Sequence, residues 1–221
     1  MLLIRNARQL VTVAGPDAAR CGQAQGRLEI IEDGAVLCEG ERIVDVGETD
    51  DIMSRHKIAV QSATVIDATG HAVMPGLVDC HAHPVFAGDR SDEYAMRLAG
   101  GTYREIHDSG GGILKTVRQV REATPAELLI GLRERLDQAL ALGTTTMEAK
   151  SGYGLDESNE AKMLEVIRAA NFGPKRHAVD LVPTLLFAHA VPPGSSADDL
   201  IGAAVRATPK LARLAAFVDV F

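Results

Sequence analysis

Cysteine is scarce in this 221-residue chain, which carries only Cys21, Cys38 and Cys80, an odd number at irregular spacing and with no C-x-x-C pair. That scarcity excludes a disulfide framework and suits reduced thiols, each expected as a small buried or half-buried residue. No apolar run approaches the ~20 residues needed to span a bilayer, and the N-terminus lacks a basic start followed by an apolar segment. The expected location is therefore cytoplasmic, with no membrane partner. Clustered lysine and arginine are also missing: 23 basic residues face 30 acidic ones, a net charge of −7, which argues against nucleic acid or an anionic membrane surface as partner. Gly110-Gly111-Gly112 is not followed by G-K-[ST], so a phosphate loop is excluded; two readings are left, a helix start that offers N–H groups to an anion and a plain turn. No repeat of fixed period is present.

What is there is an ordinary globular composition, 46% hydrophobic and 24% charged, enough for one large domain or two modest ones. Residues 1–67 hold short β-like runs broken by turn residues, with Asp33-Gly34 and Glu39-Gly40 placed where hairpin turns belong. They read as a small β domain. From residue 68 the texture shifts to apolar strands alternating with helical patterns, the mark of βα units and a parallel sheet. Strands are expected at VMPGLVDCHAH, TTTMEAKS, DLVPTLLFAHAV and AAFVDVF. In TPAELLIGLRERLDQALALG, Thr124 is placed as N-cap, Pro125 at the first helical position and Glu127 as partner in a capping box, with Gly143 at the exit. Leu128, Leu129, Leu132, Leu136 and Leu140 make one apolar face, which is core packing. A second helix is expected from Asp156 to Asn171, with Met163, Leu164, Ile167 and Ala170 inward, and a third from near Ser196.

The chemistry starts at PGLVDCHAH. Side chains alternate along a strand, so Asp79, His81 and His83 should share one face, with Val78, Cys80 and Ala82 on the other. Two imidazoles two residues apart, on the inner face of the first strand of a (β/α)8 barrel, are placed to bind one metal ion. Other residues are open between two readings. Arg90 beside Asp89, Asp92 and Glu93 is either a solvated ion pair or an anion clamp. Tyr103 is a loop cap or a ligand contact, and His189, at a strand end beside Pro192-Pro193, a core histidine or a site residue.

The string VIDATGHAVMPGLVDCHAH resembles the opening of the metal-dependent amidohydrolase superfamily. VFAGDRSDEYAMRLAGGTYREIHDSGGGI, MEAKSGYGL, LLFAHAVPP and AFVDVF narrow the resemblance to the imidazolonepropionase family, over essentially the whole chain. The resemblance implies an α/β fold in which strands of a small composite β-sandwich (residues 1–67) precede the N-terminal half of a TIM (β/α)8 barrel (68–221). It implies hydrolysis of the ring C–N bond of 4-imidazolone-5-propanoate to N-formimidoyl-L-glutamate in histidine degradation. One Zn2+ or Fe ion would be held by His81 and His83, and the small-molecule substrate would be contacted by Arg90, Tyr103, Tyr153 and His189. A homodimer is implied as well.

In that family the proton-transferring Asp and a further ligand His come from later barrel strands, so no catalytic acid or base is expected before Phe221. The chain is thus expected to be the first part of a longer enzyme, without turnover by itself. Another cyclic amidohydrolase or ring deaminase of the superfamily, or a half-barrel assembly subunit without activity, would share the His-x-His start.

Overall fold

The computed structural model describes residues 1–108 and 110–221, with Tyr103, His107 and Asp108 given only as backbone positions. The chain divides into two compact units, Met1–Pro75 and Gly76–Phe221. In the first, β1 (Leu2–Val11), β2 (Ile30–Glu39), β3 (Arg42–Glu48), α1 (Thr49–Arg55), α2 (Lys57–Gln61), β4 (Thr64–Asp67) and β5 (Ala72–Val73) follow one another. The strands form one mixed sheet in the order β3-β2-β1-β4, with β5 also on β1. Leu3, Ala35 and Leu37 pack with Ile52 of α1, while Ala7, Leu10, Val36 and Ala68 form a second buried cluster.

Glu39-Gly40 does close a hairpin, linking antiparallel β2 and β3. Asp33-Gly34 does not: it lies inside β2, where Asp33 takes a left-handed φ of 46° next to a register shift against β1. A bulge and a turn draw on the same residue types, because both need backbone angles that Asp and Gly tolerate. Helices α1 and α2 were not expected from the sequence either. Each is short, and between them they bury only Thr49 and Ile52, too little for a 3.6-residue period to show.

The second unit runs β6 (Leu77–Ala82), α3 (Ser91–Leu98), α4 (Tyr103–Asp108), α5 (Ile113–Glu122), α6 (Pro125–Ala141), β7 (Thr144–Lys150), α7 (Glu157–Asn171), β8 (Asp180–Leu185), α8 (Ala197–Leu211) and β9 (Phe217–Val218). Its four strands are all parallel and stand in chain order, β6-β7-β8-β9, as successive βα units winding in one direction require. Met147 and Ala149 of β7 and Leu181 and Leu185 of β8 face the helices, meeting Leu128, Leu132 and Leu136 of α6 and Met163, Leu164, Ile167 and Ala170 of α7. Residues between them, Glu148, Lys150 and Thr184, therefore project from the opposite face. Strand β8 stops at Leu185, short of the expected 191, because the next N–H, that of Leu186, is taken by the Ser151 hydroxyl. The four-strand parallel sheet with its helices is the α/β class read from the sequence.

Local chemistry shapes the helices. Thr124 accepts the Glu127 N–H and the Glu127 carboxylate accepts the Thr124 N–H, a complete capping box with Pro125 at the first position. Ser196 and Asp199 form another on α8. The Lys162 ammonium of α7 donates to the carbonyls of Val120, Arg121 and Ala123 at 2.8–3.1 Å, closing the end of α5. Cys38 is half-buried, as expected, whereas Cys21 and Cys80 are exposed, against expectation; Cys80 sits on an edge strand that offers little cover. Among the described residues, no helix is long and apolar enough to cross a membrane.

Thr124→Ala removes the acceptor at the start of α6 and should lower unfolding stability by about 1 kcal/mol, read as a shifted urea midpoint at constant slope. An unchanged midpoint would show that the cap does not support this helix.

Candidate functional site

Three segments bring the polar side chains together: the end of β6, the loop of residues 151–155 after β7, and the stretch that follows β8. His81 and His83 lie edge to face with ring centroids 5.5 Å apart. His83 stacks on His189 at 4.7 Å with the planes only 9° apart, and the Tyr153 ring is 5.2 Å from His83 and 5.4 Å from His189. Strict alternation along β6 is not kept. Asp79 pairs with Met147 and Ala82 with Ala149, so β6 carries one more residue than β7 across that interval. The bulge puts Asp79 in phase with a residue that faces the helices, and its carboxylate accepts the His81 backbone N–H at 3.1 Å. The expected trio of Asp79, His81 and His83 on one face reduces to the two histidines.

The protonation of two rings follows from their partners. His83 Nδ1 lies 2.8 Å from the Ser151 carbonyl and His189 Nδ1 3.0 Å from the Gly152 carbonyl. A carbonyl oxygen can only accept, so each Nδ1 carries the proton and each neutral ring keeps its Nε2 lone pair free. Burial, helped by His189 alongside, brings the His83 pKa down to about 4, which keeps the ring neutral at pH 7. Burial lowers His189 as well.

Both carbonyls belong to a loop held from behind by one carboxylate. Glu160, fully buried in the first turns of α7, accepts the N–H groups of Gly152, Gly154 and Leu155, each at 2.8 Å, and a bond from the Ser151 side chain. Burial pushes its pKa up, against the pull of those donors. The loop fits because of its glycines: a Cβ on Gly154 would stand 2.5 Å from the Glu160 backbone nitrogen, and Gly152 has a φ of +110°. Glu160 lies one helical turn before Met163 and Leu164 on the same stripe. That position, an acid heading an apolar face, was the one sequence signal for it, and the sequence reading missed it.

A second polar network involves Glu148 and Lys150, which share a strand face with Thr146 and to which the sequence alone assigns no role. The buried Lys150 ammonium bonds Glu148 Oε1 at 2.9 Å and Asp219 Oδ2 at 2.8 Å, and the Thr184 hydroxyl donates to Glu148 Oε1 at 2.7 Å. It ties the ends of β7, β8 and β9. Burial disfavours the charges on Glu148 and Lys150, yet the bonds to Lys150 and Thr184 hold Glu148 below its ordinary range, and those to Asp219 and Glu148 raise Lys150.

Arg90 precedes α3, and its acidic neighbours are engaged elsewhere: Asp89 with Ser91, Asp92 with Lys115, and Glu93 with the Gly112 N–H. The same Glu93 bond occupies the start of α5, so the glycine run is closed to an outside anion at that donor. Among the described residues, Arg90 has no carboxylate partner. Together with Phe86, Thr116, Gln119 and Tyr153 it lines a cavity of about 280 Å³. The Tyr103 side chain lies outside the described residues. The structure thus gathers His81, His83, Tyr153 and His189, and sets Arg90 across a cavity that Tyr153 shares. Among the described residues, no three His, Cys, Asp or Glu groups are arranged to hold an ion; the histidine pair supplies two donors.

Glu160→Gln places an amide N–H against backbone N–H groups and should cost about 1–3 kcal/mol of stability, read from denaturant midpoints; wild-type stability would deny the carboxylate its structural part. A depressed histidine pKa contributes stability above about pH 6.5 that is lost as pH falls toward 4. His83→Gln should therefore flatten the fall in melting temperature between pH 6.5 and 4, and an unchanged slope would contradict the burial of that ring.

Comparison with known proteins fits this geometry. Residues 34–56 match the family described as imidazolonepropionase-like composite domain, bacteria. The imidazolonepropionase of Chloroflexus aggregans is 46% identical over 234 aligned positions, covering 100% of this chain and 53% of the relative. That of Geobacillus kaustophilus is 48% identical, covering 87% and 45%. In fold the chain is similar to the Helicobacter pylori aminofutalosine deaminase (TM-score 0.54, 14% identity, covering 100% of this chain and 43% of that one). A zinc complex of atrazine chlorohydrolase from Arthrobacter aurescens is a further neighbour (TM-score 0.53, 19% identity, covering 96% and 43%). The chain spans about half the length of the curated relatives it matches, and over that span its sequence is similar to imidazolonepropionases, on a fold shared with the two solved neighbours.

Proposed function

We propose that this chain supplies part of the active site of a metal-dependent hydrolase that opens the ring of 4-imidazolone-5-propanoate to give N-formimidoyl-L-glutamate. The observation that carries the reading is the histidine pair, with the His83 Nδ1–H committed to the Ser151 carbonyl and its Nε2 lone pair left free. The pair suits one Zn2+ or Fe ion in chemistry, since neutral imidazole binds both, and a zinc-bound neighbour of the same fold supports a metal. Catalytic zinc normally takes three protein ligands, so His81 and His83 would be two of a larger set. A bound ion would supply an acidified water and a polarised carbonyl.

The chain's own residues do the rest of the positioning. Arg90, free of carboxylate partners among the described residues, would hold the propionate with its planar fork. Tyr153 and His189 wall the space beside His83, shielding the reacting ring from bulk water. The His189 Nε2 lone pair can accept a ring N–H and fix the ring's orientation. Tyr103 belongs to the same proposed set of substrate contacts. Residues 1–67 are read as the leading part of a composite domain and 68–221 as the first half of the barrel. A cytoplasmic homodimer completes the reading, the location agreeing with three free cysteines.

A ring deaminase is the second reading, favoured by the aminofutalosine deaminase likeness in fold. The two differ in product. The protein, expressed at its full encoded length, should consume imidazolonepropanoate and release no free ammonia; ammonia from an aminated ring, without imidazolonepropanoate turnover, would establish the rival. His81→Ala should lower bound metal at least ~10-fold, the lower end of what loss of even an outer-sphere partner costs, by elemental analysis. Unchanged metal content would remove the chemical basis of the site.

A further inference from the structure

The strand register sets the Lys150 network beside the histidine pair. Ala82 of β6 pairs with Ala149 of β7, and both side chains pack into the helix-facing core. The residues that flank them therefore point the other way in step: His81 comes level with Glu148, and His83 with Lys150, across one strand spacing of about 4.8 Å. The bond from His83 Nδ1 to the Ser151 carbonyl holds that alignment past the end of β6. Lys150 pairs onward with Thr184 of β8, and its ammonium reaches Asp219, beyond β9, at 2.8 Å. The electrostatics agree with this layout. Lys150 adds to the burial that lowers His83, and His81 adds to the bonds that lower Asp219.

Neutral imidazoles bring no charge to a cation seated on them, and a lone ammonium one strand away would repel it. Here one ammonium is paired with two carboxylates, so Lys150, Glu148 and Asp219 sum to one net negative charge. Burial works against the charge on Glu148, but the bonds from Lys150 and Thr184 keep it ionised, and the bond from Lys150 lowers Asp219. Those bonds also fix where the acids are. Glu148 Oε1 accepts from both Lys150 and Thr184, Asp219 Oδ2 accepts from Lys150, and Asp219 Oδ1 accepts the Val220 N–H. Carboxylates are themselves ligands for zinc, and a catalytic site has to keep one position open. We propose that Lys150 is a positioning residue of the metal centre, holding Glu148 and Asp219 out of the ion's ligand set while leaving one net negative charge beside it. This inference rests on the metal-dependent hydrolase reading above and adds a residue that touches neither ion nor substrate.

The test measures Zn2+ affinity by competition with a chelator, and turnover of imidazolonepropanoate, in the protein at its full encoded length. Lys150→Met removes the ammonium and frees both acids, so zinc should bind at least ~10-fold more tightly. In the same variant kcat should fall at least ~10-fold, as a carboxylate takes the place of the reacting water. Asp219→Asn removes one negative charge and should weaken zinc binding about 10-fold. A network that only braces the strand ends gives a different pattern, with zinc weakened in both variants. Weaker or unchanged zinc binding in folded Lys150→Met, or unchanged binding in Asp219→Asn, would overturn the inference and leave the hydrolase reading in place. Wild-type protein that takes up neither zinc nor iron would overturn that reading, and the inference with it. If Lys150→Met does not fold, Asp219→Asn with a wild-type melting temperature decides: zinc weakened about 10-fold supports the inference, and wild-type affinity overturns it.

Discussion

The site depends on one buried carboxylate. Glu160 sits where an ionisable side chain is costly, and the cost is offset because every donor it meets comes from a single short loop. The loop cannot drift without leaving that oxygen pair unsatisfied, so its carbonyls stay fixed, and through them the rings of His83 and His189. A carboxylate that touches neither histidine therefore sets the tautomer of both. This is the outer-sphere logic of imidazole sites, in which the far nitrogen's partner decides what the near nitrogen can do.

The Lys150 network plays a comparable part at the strand ends. It joins residues from β7 and β8 and the segment after β9, on the face opposite the apolar core. A parallel sheet whose helices cover one face needs polar closure on the other if that face is to line a reaction chamber rather than collapse on itself. Lys150 provides it by satisfying two acids at once, and Thr184 supplies Glu148 with a further donor.

How much of this could be read beforehand depends on the reach of each interaction. Helices α6 and α7 were legible because their signals are local: Thr124, Pro125 and Glu127 stand within one turn, and the inward leucines recur at helical spacing. The α/β class followed from the alternation of such stretches with apolar strands, and the meeting of His81 with His83 from the pleat alone. His189 and Tyr153 were suggested by resemblance, and their stacking with His83 depends on contacts between distant segments that no local pattern encodes. Glu160 stayed hidden because an acid at the head of a helix looks like ordinary end-charge compensation. Asp33-Gly34 misled because a bulge and a turn use the same residues. The phase slip in β6 could not be foreseen, since it appears only against the partner strand.

The slip at β6 has a further consequence for how the fold tolerates change. An extra residue on an edge strand, absorbed beside the histidines, uncouples the pitch of the segment before it from the pitch of the segment after it. Insertions or deletions upstream of Asp79 can be taken up there without rotating His81 and His83 away from each other. His83 is indexed to the loop behind β7, through Ser151, as well as to the strand that carries it.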